Sequence, residues 1–209
     1  MKSFEIITET DARGLEPGST VTLKPGGHIT PLAADTLKAR RITVFRGVVD
    51  ASLAGLAPVS DIKSIAIGSD HSGIALKAAL RDHLRQSGLS VLDIGTETAD
   101  PVDYPDIAGQ VARLVARREV DAGIVIDGAG IGSAMAANKI HGARAAMCIN
   151  QTLARYSREH NGANVLALGA TLVTLDEAKD IVATWLSTPM GEARYIRRLA
   201  KIAALEKMQ

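Results

Sequence analysis

Three glycines spaced two apart, Gly128, Gly130 and Gly132, directly follow Asp127 and precede Ser133. Glycines at this spacing let successive backbone N–H groups turn inward, and a helix opening behind them adds the positive end of its dipole. The combination suits an anion or a developing oxyanion. A carboxylate beside such a loop is what proton abstraction next to a carbonyl requires. The same Asp127 also suits capping of the helix that follows, and a tight strand–helix turn would use the same glycines. The loop is not the dinucleotide fingerprint, whose third glycine would fall on Ser133. Nor is it a Walker loop, because no Gly-Lys-Ser/Thr follows.

Other chemically able residues fall at similar places. Asp70 and His71 follow a short apolar run, and His160 and Asn161 end a helical stretch. The two histidines suit acid–base work or phosphate contact near neutral pH, although either alone is an ordinary surface or core residue. Arg194, Arg197 and Arg198 share one helix face at i, i+3 and i+4, able to clamp a phosphate or to form a solvated face. Cys148, within Ala145-Ala146-Met147-Cys148, reads as a buried core thiol.

These residues need elements to position them. Ser64–Gly68, Leu89–Ile94, Ala122–Ile126, Ala143–Cys148 and Asn164–Leu168 read as buried strands. Helices are expected between them. One starts at Ser72 as N-cap, carries Leu76, Leu80 and Leu84 on one face and stops at Gly88. Another covers Tyr104–Arg118, with Ile107, Val111, Leu114 and Val115 on one side. Ile131–Lys139 and Gln151–Glu159 follow, then a helix opened by the capping box Thr174-Leu175-Asp176-Glu177, and a last one over Gly191–Lys207. The alternation predicts a Rossmann-like open parallel β-sheet of about five strands with helices on both faces, an α/β fold whose ligands bind beyond the carboxyl ends of the strands. Residues 1–60 differ. Pro17-Gly18, Pro25-Gly26-Gly27 and Pro31 punctuate short strand-like pieces at Val21–Leu23 and Ile42–Phe45 and one helix at Leu32–Arg40. This is a small β-rich appendage with little core of its own, joined through Leu53–Ser60 to a domain spanning 64–209.

Composition narrows the function classes. Lys+Arg total 24 against Asp+Glu 23, a balance that disfavours a nucleic-acid partner. Aromatic residues are 3% of the 209, too few for a base-stacking platform. No apolar run reaches the ~18–20 residues of a membrane helix, and Lys2 and Glu5 interrupt any signal-peptide pattern, so a cytoplasmic location with no membrane partner is expected. The single cysteine excludes an internal disulfide and a thiolate metal cluster.

Taken together, the motifs resemble a known family. Ile67-Gly68-Ser69-Asp70-His71-Ser72-Gly73, Val102-Asp103-Tyr104-Pro105-Asp106, and Gly128-Ala129-Gly130-Ile131-Gly132 with Ala136-Ala137-Asn138-Lys139 come first. Ser157-Arg158-Glu159-His160-Asn161 with Asn164–Gly169, and Arg194 with Arg198, complete the order. Order and spacing are similar to type-B ribose-5-phosphate isomerases, a family that includes the galactose-6-phosphate isomerase subunits. The resemblance covers about Ser64 to Ile202. It implies an aldose–ketose isomerase of a sugar phosphate, working without metal or cofactor through a cis-enediol(ate). It implies a homodimer or homotetramer with shared active sites, in which C-terminal arginines reach the neighbour's phosphate. By position, Asp70 and Asn161 would contact sugar hydroxyls, and His71, Arg194 and Arg198 the phosphate. The amides of Gly128 to Ser133 would cradle the enediolate, His160 would help open the sugar ring, and Tyr104 would wall the pocket.

Departures from the family pattern lie at the chemistry itself. Many members carry a cysteine base where this chain has Asp127, and another branch carries a glutamate at Ser133. A threonine two residues after the cysteine is Ala129 here, and a histidine after the first C-terminal arginine is Tyr195. Three readings follow. Asp127 replaces the cysteine as base in a ribose 5-phosphate isomerase; or the substrate is a tetrose or hexose phosphate; or the chain binds sugar phosphate without turnover or needs a partner subunit. Within residues 1–60, Ile29–Asp35 and Ile42–Val44 faintly resemble segments of proteins associated with bacterial microcompartments. That resemblance implies a docking or encapsulation element with a shell or core partner, against a plain extension packing on its own dimer.

Overall fold

The computed structural model describes residues 1–47 and 51–207. Their contacts divide into two units: Met1–Asp61 with Glu159–Gly162 and Thr188–Gln209, and Ile62–Arg158 with Ala163–Ser187.

The first unit opens with β1 (Ser3–Ile7), α1 (Glu9–Arg13), β2 (Thr20–Ile29), α2 (Pro31–Ala39) and β3 (Thr43–Arg46). The three strands pair in parallel in the order β1-β2-β3. The strands and helix expected at Val21–Leu23, Ile42–Phe45 and Leu32–Arg40 are present, and β1 and α1 are added to them. A five-residue helix is held by its cap: Thr8 N–H donates to Asp11 Oδ2 at 2.9 Å and Asp11 N–H to Thr8 Oγ1 at 3.3 Å. Pro25-Gly26-Gly27 does not end a strand. It forms a bulge inside β2, where the register against β1 shifts between Phe4 and Ile6. A Cβ on Gly27 would lie 2.7 Å from the Glu5 carbonyl, so the bulge fits only glycine there. Ile7, Ala12, Leu15, Val21, Leu23, Ala33, Leu37 and Ile42 bury a core in this segment, more than the expected fragmentary packing.

The second unit alternates strictly: β4 (Ser64–Ser69), α3 (Ile74–Gln86), β5 (Ser90–Gly95), α4 (Tyr104–Ala116), β6 (Ala122–Asp127), α5 (Ile131–Ala137), β7 (Ala145–Met147), α6 (Gln151–Glu159), β8 (Val165–Gly169) and α7 (Leu175–Ser187). All strands are parallel, in the order β5-β4-β6-β8-β7. Successive residues face opposite sides, so two apolar layers form. Ile65, Ile67, Ile124, Ile126, Leu166 and Leu168 pack one face with Leu80 and Leu84 of α3 and Ile181, Val182 and Trp185 of α7. Ala66, Val125, Val165 and Ala167 pack the other with Val111, Ala112 and Val115 of α4 and Ala134 and Ala137 of α5. Burial on both faces is why these strands read as continuous apolar runs.

Two local expectations change. Ser72 does not cap α3; the N-cap is Gly73 without a side-chain bond, because the Ser72 hydroxyl goes to Asp70. β7 keeps only three residues of the expected six-residue strand, an edge paired with β8 alone.

The last helix, α8 (Ala193–Glu206), belongs with the first unit. Its Tyr195, Ile196 and Leu199 bury against Phe45 and Met190, with Leu53, Leu56 and Ala57 alongside. Leu53–Ser60, expected as a linker, is therefore partly packed, its first part lying in a 3-10 turn over Ala51–Leu56. Arg46 N–H donates to the Gly191 carbonyl at 2.8 Å, extending the edge of the small sheet.

Candidate active site

In the second unit, the register sets Ser69 beside Ile126 and Asp127 beside Gly169, so β4, β6 and β8 end level. From β4 the chain steps out to β5, then returns past β4 to β6. The strand order therefore reverses between β4 and β6, where open α/β sheets bind ligands. Asp70 follows one of these strands and Asp127 ends the other. Asp70 N–H donates to the Ile126 carbonyl at 3.2 Å, which holds the two strand ends together.

Asp127 is buried, and its carboxylate is filled by its own loop. Oδ1 accepts from Ala129 N–H at 2.8 Å and from Gly130 N–H; Oδ2 accepts from Ser133 N–H at 2.7 Å, with the Ser133 hydroxyl beside the carboxylate. Of about four lone-pair positions on the carboxylate, backbone N–H groups fill three, with at least one on each oxygen. Burial pushes its acidity constant up, but the Ser133 hydroxyl and the three backbone N–H groups outweigh burial and hold the carboxyl below the usual range. The expected cradle for a developing oxyanion is thus occupied by a carboxylate already in the chain.

Close packing shapes the loop. Gly130 has φ +76° and caps α5, and a Cβ there would lie 2.8 Å from the Leu168 carbonyl carbon. From the facing loop, Thr171 N–H and Oγ1 both donate to the Gly128 carbonyl, at 3.0 and 2.7 Å. Sequence reasoning missed Thr171; its place just after β8 was the available signal. The exposed Tyr104, first residue of α4, lays its ring on Gly132, where a Cβ would come 2.5 Å from Tyr104 Cζ.

Asp70 is buried to a similar degree as Asp127 but is bonded differently. Its Oδ1 accepts from Ser72 N–H at 2.9 Å and from the Ser72 hydroxyl at 2.6 Å. Oδ2 takes no hydrogen bond among the described residues. Ser72 also faces the glycine loop: a Cβ on Gly128 would lie 3.7 Å from Ser72 Oγ. His71 is exposed, and its Nδ1 accepts from Val102 N–H at 3.4 Å.

The remaining expected residues lie in the first unit. His160 and Tyr195 stack with ring centroids 4.8 Å apart. Arg194 lies over the same tyrosine ring at 4.9 Å and donates to its hydroxyl at 3.0 Å, and Arg198 lies over it at 5.7 Å. Tyr195 therefore gathers three of the expected residues, a role its sequence position among arginines did not reveal. Arg197 and Asn161 are exposed. Cys148 is buried in the second unit, and burial pushes its thiol up to about 11. Among the described residues, no three His, Cys, Asp or Glu side chains group as metal ligands would, and no helix is long and apolar enough to cross a membrane.

Comparison with known proteins matches residues 65–202 to the family described as Ribose/Galactose Isomerase. Ribose-5-phosphate isomerase B of Escherichia coli (strain K12) is 44% identical over 146 residues, 70% of this chain and 98% of that protein. The structure of Clostridium thermocellum ribose-5-phosphate isomerase B superimposes with a TM-score of 0.68 at 50% identity, over 69% of this chain and 98% of that one. Mycoplasma genitalium ribose-5-phosphate isomerase B, solved with bound ribulose-5-phosphate, gives 0.68 at 39%, over 70% and 97%.

Proposed function

The chain belongs to the ribose/galactose isomerase family, and from that premise we propose that it is an aldose–ketose isomerase of a sugar phosphate, with ribose 5-phosphate as the leading substrate. The observation that carries this reading is the pair of buried carboxylates, Asp70 and Asp127, ending neighbouring strands at the reversal point of the sheet. Isomerisation moves a proton between C1 and C2 of the open-chain sugar through a cis-enediol, and a carboxylate is a suitable base for it. The transfer falls to Asp127, at the position of the family's cysteine, or to Asp70 beside it.

The other roles follow the family resemblance. Asn161 meets sugar hydroxyls, as does Asp70 where Asp127 is the base; Tyr104 walls the sugar, and His160 assists ring opening. His71 with Arg194 and Arg198 holds the phosphate, the arginines coming from the neighbouring subunit of a homodimer or homotetramer. Residues 1–60 act as a docking element, with a microcompartment shell or core protein as the partner class.

A second reading has its own support. The filled carboxylate of Asp127 is what a sugar-phosphate-binding chain, or a subunit dependent on a partner, would have. An isomerisation assay with ribose 5-phosphate and a panel of tetrose and hexose phosphates separates the two. Turnover of one sugar supports the isomerase. Binding of these sugars with no turnover of any supports the second reading.

A further inference from the structure

A general base needs an open lone pair aimed at the proton it removes. Of the two strand-end carboxylates, Asp127 spends both oxygens on its own loop, while Asp70 spends one and keeps Oδ2 open. We infer that Asp70 is the base of the isomerisation and that Asp127 is a positioning residue holding the glycine loop in shape. This assignment rests on the isomerase reading above.

Three observations support it. The Ser72 N–H and hydroxyl fix Asp70 Oδ1, so the open oxygen is held in one orientation. Asp70 is 6% exposed, so most of the residue is withdrawn from bulk water. Its backbone bond to Ile126 seats it next to the β6 loop, against which Ser72 also packs. Asp127, for its part, has a backbone donor on each oxygen, and its donors hold it below the usual carboxylate range, which weakens it as a base.

Asp70 Oδ2 takes the proton from C2 of the open-chain aldehyde. The C2–H electron pair forms the C1=C2 bond, and the C1=O π pair moves to O1, which takes a proton from water. The protonated Asp70 then delivers its proton to C1, O2 gives its hydroxyl proton to water, and C2=O forms.

The test uses the full chain with ribose 5-phosphate, or the panel sugar it turns over, in D2O, following deuterium incorporation by NMR. Asp70→Asn is expected to lower kcat by ~10²–10⁴-fold, the usual contribution of a general base, with KM changing far less. Asp70→Gly is expected to regain exchange when formate is added, and Asp127→Gly is not, because formate replaces a missing base and not a missing loop tether. Circular dichroism checks that each variant is folded. Formate rescue of Asp127→Gly, or its failure with folded Asp70→Gly, overturns this assignment and leaves the isomerase reading standing. A wild-type chain that turns over no sugar phosphate overturns the isomerase reading itself, and the assignment with it.

Discussion

Ser133 donates its backbone N–H to Asp127 Oδ2 at 2.7 Å, six residues back along the chain. With the Ala129 and Gly130 amides on Oδ1, this bond closes the glycine loop around an internal carboxylate. The Asp127 side chain is therefore part of the loop's own architecture.

Replacing Asp127 leaves loop donors without an acceptor, at about 1–3 kcal/mol for a buried group so abandoned. Asp127→Ala is expected to lose roughly 3 kcal/mol in urea unfolding at pH 7, and Asp127→Asn less, because its amide oxygen still accepts. Because the folded carboxyl is held below its ordinary value, its contribution is fully present above the unfolded value of about 3.9. It is lost as pH falls through the folded value. Asp127→Asn should therefore flatten the stability decline below about pH 4. Asp127 should also add no inflection to a rate profile at neutral pH.

Gly132 and Tyr104 should behave as a coupled pair. Gly132→Ala places a Cβ 2.5 Å from Tyr104 Cζ, so the ring must move, at a cost of about 1–3 kcal/mol. In a Tyr104→Ala background the same substitution should cost clearly less, and a double-mutant cycle reads the difference. Additive effects would mean that the ring does not rest on Gly132.

Lys77 is 2% exposed on its side chain and pairs with Asp93 at 2.6 Å. It also donates to the Ile94 and Thr96 carbonyls at the end of β5. Removing one partner of a buried pair strands the other charge, so Asp93→Asn should cost about 3 kcal/mol. Burial pushes Asp93 up, but Lys77 and Arg81 outweigh burial and hold it below the ordinary range. Its stabilisation should thus persist above about pH 3.9 and fall away in more acidic solution. Thermal unfolding of wild type and variant across pH 3–7 checks both statements.

Cys148 is 1% exposed, and its thiol is pushed up to about 11. At pH 8 little of it is thiolate, and reagents reach it only after opening. A thiol-reactive dye should label the native chain slowly and the urea-unfolded chain at once. Rapid native labelling would contradict the burial.

Much of this was legible in the sequence because the second sheet is buried on both faces, so its strands appear as apolar runs with punctuated ends. The strand-end rule then pointed to Asp70, Asp127 and the glycine loop. What stayed hidden depends on contacts between distant residues. β1 and α1 are short and carry Glu5, Glu9 and Asp11, so no apolar period announced them. Pro25-Gly26-Gly27 has the composition of a turn, yet the chain uses it as a bulge within a strand. Ser72 has the type of a cap, yet a carboxylate two residues back takes its hydroxyl. The gathering of His160, Arg194 and Arg198 on Tyr195 requires a helix some 35 residues away to fold back, which spacing alone does not show. The filling of Asp127 was foreseeable only as capping, one of two roles its position allowed.

The most direct test of the account is incorporation of solvent deuterium during incubation of the wild-type chain with ribose 5-phosphate and the tetrose and hexose phosphates in D2O. The account predicts conversion of one of these sugars to its ketose partner, with deuterium entering at C1 or C2. Binding of the sugars with neither conversion nor exchange would contradict it.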